Sequence, residues 1–114
     1  MQDKKIITTE EKGRVIVVRI VGELDSFTIS EVKDVLSNLI DSHKAKIAID
    51  CEKIEHMNST SIGVLVGRLK EARAMAGDIR LFNLTPHIQK IFDMIGASKI
   101  FNMYLNEEEA LADF

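Results

Sequence analysis

The feature that most limits the fold is a run of mostly β-branched residues that is apolar on both of its faces. It covers residues 14–21, and a strand there sends Ile16, Val18 and Ile20 to one side and Val15, Val17 and Val21 to the other. Successive side chains of a strand point to opposite faces, so two apolar faces indicate a strand covered on both sides. We therefore predict that this strand lies inside a sheet.

The other segments alternate between strand and helix patterns. Residues 5–9 read as a strand that precedes the long one, with Glu11-Lys12-Gly13 as the connection of an antiparallel hairpin. The later predicted elements follow in this order: a helix over residues 28–42, a strand over 46–51, a loop over 52–58, a helix from Ser59 to Gly77-Asp78, a strand over 79–84, a helix from Thr85-Pro86 to Gly96, an ambiguous segment 99–105 that fits a helical turn and then an edge strand, and a terminal helix opened by Asn106.

Two of these helices carry specific sequence signals. Thr28 and Glu31 have the spacing of a capping box, in which each side chain satisfies a free N–H group at the start of a helix. The helix from Ser59 presents one apolar stripe, formed by Ile62, Leu65, Val66, Leu69, Ala72 and Ala76. The order β-β-α-β-α-β-α-β-α predicts one α/β domain over residues 1–114, with a mixed sheet of about four to five strands and about four helices.

Composition excludes several classes of function. A formal net charge of -3 and a pI near 5.6 leave no broad basic surface for a nucleic-acid backbone. Cys51 is the only cysteine, so an intramolecular disulfide is impossible and a reducing compartment, the cytoplasm, is expected. No apolar run approaches the ~20 residues that span a bilayer, so no membrane segment is expected.

The fold also predicts where a site would lie. Right-handed β-α-β crossovers bring the segments that follow successive parallel strands to one edge of the sheet. Here those segments are Gly22-Glu23-Leu24-Asp25 and residues 50–58, which lead to Ser59. A surface made of Asp25, Asn58, Ser59 and the start of the second helix is therefore expected.

The residues of this surface resemble a known family. Gly22-Glu23-Leu24-Asp25, the strand ending in Asp50, and Met57-Asn58-Ser59-Thr60-Ser61-Ile62-Gly63-Val64-Leu65-Val66-Gly67-Arg68 are similar to bacterial anti-sigma factor antagonists, the partner-switching proteins built on a STAS domain. The resemblance extends over essentially the whole chain. It implies that Ser59 is the phosphorylated serine and that Asp25 lies beside the phosphorylation loop. Asn58 stands where the family usually has aspartate, and Ser61 stands where it has its first glycine.

The resemblance implies a regulatory mechanism without catalysis by this chain. The unphosphorylated antagonist binds an anti-sigma factor that is also a serine kinase, and the sigma factor is released. Phosphate transferred to the serine breaks that complex, and a PP2C-type phosphatase restores it. The ATP belongs to the kinase, so no cofactor is expected here, and neither nucleic acid nor membrane is an expected partner.

A pair of glycines extends the expected binding surface along the second helix. Gly63 and Gly67 lie on one flank beside the apolar stripe, although a glycine inside a helix costs about 1 kcal/mol relative to alanine. Close approach of a partner helix, or of a neighbouring helix of this chain, would explain them. The partner-binding residues predicted in this way are Asp25, Asn58, Ser59, Thr60, Ser61, Gly63 and Gly67.

Other interpretations remain open at this point. Ser59, Thr60 and Ser61 are ordinary residues for a helix cap, and Thr60 is a second candidate for phosphorylation. An alternative is that the chain is a STAS scaffold or small-molecule-binding domain that is never phosphorylated. In that case Asn58 and Ser61 would result from the loss of kinase recognition. A hydrolase using Ser59 is disfavoured because no Gly-x-Ser-x-Gly elbow surrounds it.

Two further residue types are expected to have no chemical role. The three histidines, His43, His56 and His87, lack the spacing of metal ligands, so no metal site is expected. Cys51 is interpreted as a small buried side chain, not as a nucleophile.

Overall fold

The computed structural model describes residues 7–114, which form one five-stranded sheet with helices on both faces. The strand order is β1-β2-β3-β4-β5, with β1 antiparallel to β2 and the other neighbours parallel. The elements are β1 (Ile7–Lys12), β2 (Val15–Leu24), α1 (Ile29–Asp41), β3 (Lys46–Met57), α2 (Ser59–Ala74), β4 (Asp78–Phe82), α3 (Pro86–Ile95), a 3₁₀ turn (Ala97–Lys99), β5 (Asn102–Tyr104) and α4 (Glu107–Leu111). The predicted element order and α/β class are confirmed.

The long strand predicted from the two-sided apolar run is β2, and it lies between β1 and β3. Its residues Val15 and Val17 pack with Ala110 of α4 on one face, whereas the larger core on the other face receives the apolar sides of α1, α2 and α3. Val21, also predicted to be covered, is 38% exposed and does not belong to the small cluster that packs with α4. The core is therefore thick on one face and thin on the other.

The hairpin at the start of the chain differs from the prediction in its boundaries. β1 continues to Lys12, so Glu11 and Lys12 pair with β2 and do not form the connection. The turn is Gly13-Arg14, where Gly13 has a φ of 65°, a left-handed conformation that glycine adopts without steric cost. The predicted strand residues Lys5 and Ile6 lie outside the described residues.

Most residues of the two segments predicted as loops after β2 and β3 are strand residues in the structure. Gly22–Leu24 belongs to β2 and residues 52–57 belong to β3, and the two extensions pair with each other beyond the end of β4. Two register irregularities, one between Arg19 and Val21 and one between Gly22 and Glu23, bend this paired extension. The segment is largely polar in sequence, but its inward side chains are buried. These are Leu24, Ile54 and Met57.

The helices agree with their sequence signals except at some ends. Thr85 caps α3 through a hydrogen bond from the backbone N–H of Ile88 to its hydroxyl oxygen (3.4 Å), and Gly96 ends that helix with a φ of 86°. In α2 the stripe is buried at Ile62, Leu65, Leu69 and Ala72, but the helix ends at Ala74. Ala76 is therefore exposed and outside the stripe. Within residues 7–114, no helix has both the length and the apolarity required to cross a bilayer.

Candidate functional site

The paired extension of β2 and β3 determines where the predicted site residues meet. Leu24 and Met57 are register partners on these parallel strands, and Asp25 and Asn58 follow them immediately. The backbones at Asp25 and Asn58 therefore leave the sheet side by side. The expectation that the two segments meet at one edge is confirmed, with the site beginning at the true ends of the two strands.

The start of α2 is closed by a reciprocal hydrogen-bonded cap between Asn58 and Ser61. The Asn58 Oδ1 accepts a hydrogen bond from the Ser61 N–H (2.9 Å), and the Ser61 hydroxyl oxygen accepts one from the Asn58 N–H (3.0 Å). The Ser61 hydroxyl also donates to the Asn58 carbonyl oxygen (2.9 Å), and its residue is completely buried. Ser61, predicted to bind a partner, is therefore a buried part of the cap and not of the accessible surface.

This cap leaves the hydroxyl of Ser59 free. Ser59 and Thr60 are the first two residues of α2, and both are exposed. Among residues 7–114, neither hydroxyl forms a hydrogen bond, because the capping oxygens come from Asn58 and Ser61. The ordinary-cap interpretation thus holds for Ser61 and fails for Ser59 and Thr60.

The neighbouring helix α1 begins differently from the prediction. Asp25 Oδ1 accepts hydrogen bonds from the backbone N–H groups of Phe27 (2.8 Å) and Thr28 (2.9 Å). The Thr28 hydroxyl donates to the Glu23 carbonyl oxygen (2.8 Å) and accepts from the Asp25 N–H (3.0 Å). The predicted Thr28 capping box was wrong, because Thr28 already has helical backbone angles and its side chain points back toward the preceding strand.

Asp25 therefore organises the loop before α1, and its charge is stabilised there. Hydrogen bonds from the backbone N–H groups of Thr28 and Phe27 hold the pKa of Asp25 below its ordinary value. The carboxylate remains exposed to solvent at this edge of the sheet. A fixed negative charge thus lies on the strand end next to the one that carries Asn58 and Ser59.

The loop between Asp25 and α1 also presents an aromatic side chain that the sequence interpretation missed. Phe27 is 87% exposed, the largest exposed fraction among the exposed large apolar residues in the described part of the chain. The signal was present in the sequence as one aromatic residue inside the polar segment Asp25-Ser26-Phe27-Thr28. The Asx turn at Asp25 holds this ring at the surface beside the predicted site.

The two glycines of α2 lie in open space. A Cβ atom added to Gly63 or Gly67 would meet no atom of residues 7–114 within 4 Å outside the helix itself. The neighbouring helix α1 contacts a different side of α2, where Arg68 Nη1 donates to the Ser37 hydroxyl oxygen (3.1 Å). Among residues 7–114, close packing of another helix therefore does not explain the glycines, and α2 presents bare backbone along its outer face, exposed at Gly63 and half-buried at Gly67.

The other reactive side chains are a buried cysteine and a pair of histidines. Burial raises the pKa of the Cys51 thiol to about 12, so the side chain is a neutral core group at physiological pH. His56 and His87, which are far apart in sequence, are brought together with 3.0 Å between His56 Nδ1 and His87 Nε2. Within residues 7–114, no group of three or more potential ligands could hold a metal ion.

Comparison with known proteins identifies the family and the fold. The model of the STAS domain matches residues 7–110, and the chain belongs to the STAS domain family. The chain is 30% identical over 108 residues to the anti-sigma F factor antagonist of Paenibacillus polymyxa, covering 94% of this chain and 92% of that protein. It is 27% identical to the anti-sigma-B factor antagonist of Staphylococcus aureus, over 89% of this chain and 92% of that protein.

A solved structure extends the comparison to three dimensions. The Bacillus cell fate determinant SpoIIAA, in its phosphorylated form, superimposes with a TM-score of 0.71 at 29% identity, covering 92% of this chain and 96% of that chain. The relatives carry the names of regulators, not of enzymes. The family resemblance inferred from the sequence motifs is thus confirmed.

Proposed function

We propose that this chain is an anti-sigma factor antagonist whose binding to an anti-sigma factor is switched off by phosphorylation of Ser59. The observation that carries the proposal is the Ser59 hydroxyl, which is exposed at the first residue of α2 and is not used by the cap. A kinase can reach such a hydroxyl without unfolding the helix start. The relatives named as anti-sigma factor antagonists, and the relative solved in a phosphorylated form, support this assignment.

The proposed binding surface combines the two adjacent strand ends with the outer face of α2. Its residues are Asp25, Phe27, Asn58, Ser59, Thr60, Gly63 and Gly67. An exposed aromatic ring supplies the apolar anchor that protein interfaces commonly use. The glycines permit a partner to approach the α2 backbone closely, which gives a physical reason for keeping two residues that weaken the helix.

Phosphate on Ser59 would oppose binding without unfolding the domain. It adds roughly 1.5 to 2 negative charges at a helix start, where free N–H groups and the helix dipole favour an anion. The cap between Asn58 and Ser61 remains intact, because neither residue is modified. A docking partner, however, would have to desolvate the phosphate next to the Asp25 carboxylate, at an effective cost of several kcal/mol unless it supplies a cation.

The two departures from the usual family motif are consistent with a working switch. Asn58 caps α2 through its side-chain oxygen, which is the same role that aspartate performs equally well. Ser61 adds the second half of the cap. The functional difference from aspartate is then one less negative charge beside Ser59, not a disrupted helix start.

The proposed partners are an anti-sigma factor with serine kinase activity and a PP2C-type phosphatase.

The first experiment incubates the chain with ATP and the anti-sigma factor kinase recovered from its cells, and maps any phosphate by mass spectrometry. One phosphate on Ser59, absent in Ser59→Ala and retained in Thr60→Ala, is the expected result. Thr60 is the matched control because it is the neighbouring exposed hydroxyl on the same helix turn.

The second experiment compares the purified phosphorylated and unphosphorylated forms. We expect the same far-ultraviolet circular dichroism for both forms and loss of kinase binding only in the phosphorylated form. Phosphate on Thr60 alone, or equal binding by both forms, would contradict the proposed switch. Tight binding without any phosphate transfer would favour the alternative of an unregulated STAS scaffold.

A further inference from the structure

His56 and His87 form a pair that the binding surface does not require. His56 lies near the end of β3, and His87 lies in the first turn of α3. Both side chains belong to exposed residues, and their ring nitrogens, His56 Nδ1 and His87 Nε2, are 3.0 Å apart. Strand β3 and helix α3 therefore hold two imidazole rings within hydrogen-bonding distance of each other.

The ring geometry shows that these two nitrogens point at one another. The ring centroids are 5.2 Å apart, which is close to the largest separation that a 3.0 Å nitrogen-to-nitrogen distance allows for two five-membered rings. The planes differ by only 26°. The rings thus meet edge to edge, and one nitrogen donates its hydrogen to the lone pair of the other.

The same separation suits two ligands of one metal ion. Zinc–imidazole bonds of about 2.0–2.1 Å place two nitrogens roughly 2.9 Å apart at a right angle and roughly 3.3 Å apart at the tetrahedral angle. The observed distance lies between these values. A tilt of each ring by roughly 40° would direct both lone pairs at one ion at these bond lengths, and His χ2 torsions of exposed side chains have broad wells.

Two acidic residues adjoin His56 in register or in sequence, and Lys90 lies three residues after His87 on α3. Glu23 on β2 is the register partner of His56, and Glu55 precedes His56 on β3. Neither completes a group of three ligands in the described part of the chain, so the remaining coordination positions would be filled by water. Neutral imidazole is a preferred ligand of zinc, copper and nickel, whereas magnesium and calcium prefer oxygen.

We propose that His56 and His87 form a two-imidazole binding site for a divalent transition-metal ion, with zinc as the reference ion. Binding replaces the hydrogen bond between the rings by two coordinate bonds, and each ring keeps its remaining hydrogen on the other nitrogen. In the hydrogen-bonded pair the donating nitrogen carries the hydrogen, so a change of tautomer in that ring moves the hydrogen to its other nitrogen and presents both lone pairs to the ion. An ion there links the end of β3 to the start of α3, two residues before the cap of α2.

The test measures Zn²⁺ binding to the full chain by calorimetric titration and by the imidazole proton resonances. The variants are His56→Gln and His87→Gln, which keep a polar side chain but remove the coordinating ring, and His43→Gln as the matched control. His43 lies after α1, outside this pair. We expect one Zn²⁺ per chain in the wild type, binding at least tenfold weaker in each pair variant, and unchanged binding in His43→Gln.

The resonances and the unfolding temperature provide independent readouts. Zn²⁺ is expected to shift the ring signals of His56 and His87 but not those of His43, and to raise the unfolding temperature only where both pair residues are present. Affinity within twofold of the wild type in either pair variant would overturn the site. An equal loss in His43→Gln would overturn it as well.

Discussion

The starts of α1 and α2 lie side by side at one edge of the sheet, yet they are closed by different chemistry. At α1 a charged carboxylate, Asp25, accepts from the N–H groups of Phe27 and Thr28. At α2 two neutral residues, Asn58 and Ser61, cap the helix reciprocally. Each side-chain oxygen accepts a hydrogen bond from the backbone N–H of the other residue. The first start places an aromatic ring in solvent, and the second places a free hydroxyl there.

The difference shows how a short polar motif can separate stability from regulation. At α2 the buried Ser61 performs the structural role, so the adjacent Ser59 can be modified without disturbing the cap. At α1 the charge itself performs the structural role, so Asp25 is needed for the loop as well as for the surface. The two starts should therefore respond differently to charge, truncation and acid.

The largest expected difference comes from adding the same charge to each start. Ser59→Asp should weaken anti-sigma factor binding at least 100-fold, about 2.7 kcal/mol, because a partner must bury the carboxylate on the proposed surface. Ser26→Asp, in the exposed loop before α1, should have an effect at least tenfold smaller. Calorimetric titration with the partner measures both. Equal losses would show that the two starts do not differ in this role.

Truncation of the aromatic ring at the α1 start should be next in size. Phe27→Ser is expected to weaken partner binding by about tenfold, or roughly 1.4 kcal/mol, since an exposed ring can become a buried anchor in a complex. Stability in urea should not change. Leu105→Ser is the control, because Leu105 is 81% exposed at a different place, between β5 and α4. A loss shared by both variants would argue against a localised anchor.

Removal of the neutral cap at the α2 start should act on stability. Asn58→Ala is expected to lower the free energy of unfolding by about 1 kcal/mol, because the Ser61 N–H loses its acceptor. Asn58→Asp keeps the acceptor and should remain within a few tenths of a kcal/mol of the wild type. Urea denaturation followed by circular dichroism distinguishes them. Equal stability of Asn58→Ala and wild type would mean that Ser61 alone closes the helix.

The two helices also differ along their lengths, since α2 contains two glycines and α1 contains none. Gly67→Ala should stabilise the free protein by up to about 1 kcal/mol, because the new methyl group enters open space. It should weaken partner binding if the bare backbone is contacted. Gly77→Ala should instead destabilise, because its Cβ would collide with the Ala45 backbone oxygen. Thermal unfolding and partner titration test both signs.

The smallest expected effect is a difference in acid sensitivity. The pKa of Asp25 is lowered in the fold. The ionised carboxylate therefore contributes fully to folding stability above the unfolded pKa of 3.8, and this contribution is lost as the pH falls through the lower folded pKa. Asp25→Asn should therefore reduce the loss of stability measured in urea between pH 5 and pH 2. Asn58→Asp should increase it, since α2 then acquires a titratable cap. Identical acid profiles for all three proteins would show that the charge at α1 does not matter.

Local patterns in the sequence predicted most of the fold. The apolar stripe of α2 and the cap and stop of α3 depend on residues within a few positions of one another, so their periodicity is visible in one segment. The neighbourhood of Asp25 and Asn58 also followed from the element order alone. These predictions needed only local spacing and the handedness of the crossovers.

The errors share a different cause. The polar segment 52–57 looked like a loop, but it forms a strand because the end of β2 pairs with it. The Thr28 capping box failed because Glu23 and Asp25 offered that side chain closer partners. Each outcome depended on a competing contact that local sequence spacing did not specify.

The sequence by itself determined the order of elements, the stripe that buries α2 and the position of Ser59 at a helix start. Tertiary structure alone decided that Phe27 is exposed, that Ser61 and not Ser59 is used by the cap, and that His56 meets His87. Helix and strand patterns arise from interactions with near neighbours along the chain. Exposure and contact between distant residues arise from how the sheet assembles, which no single segment encodes.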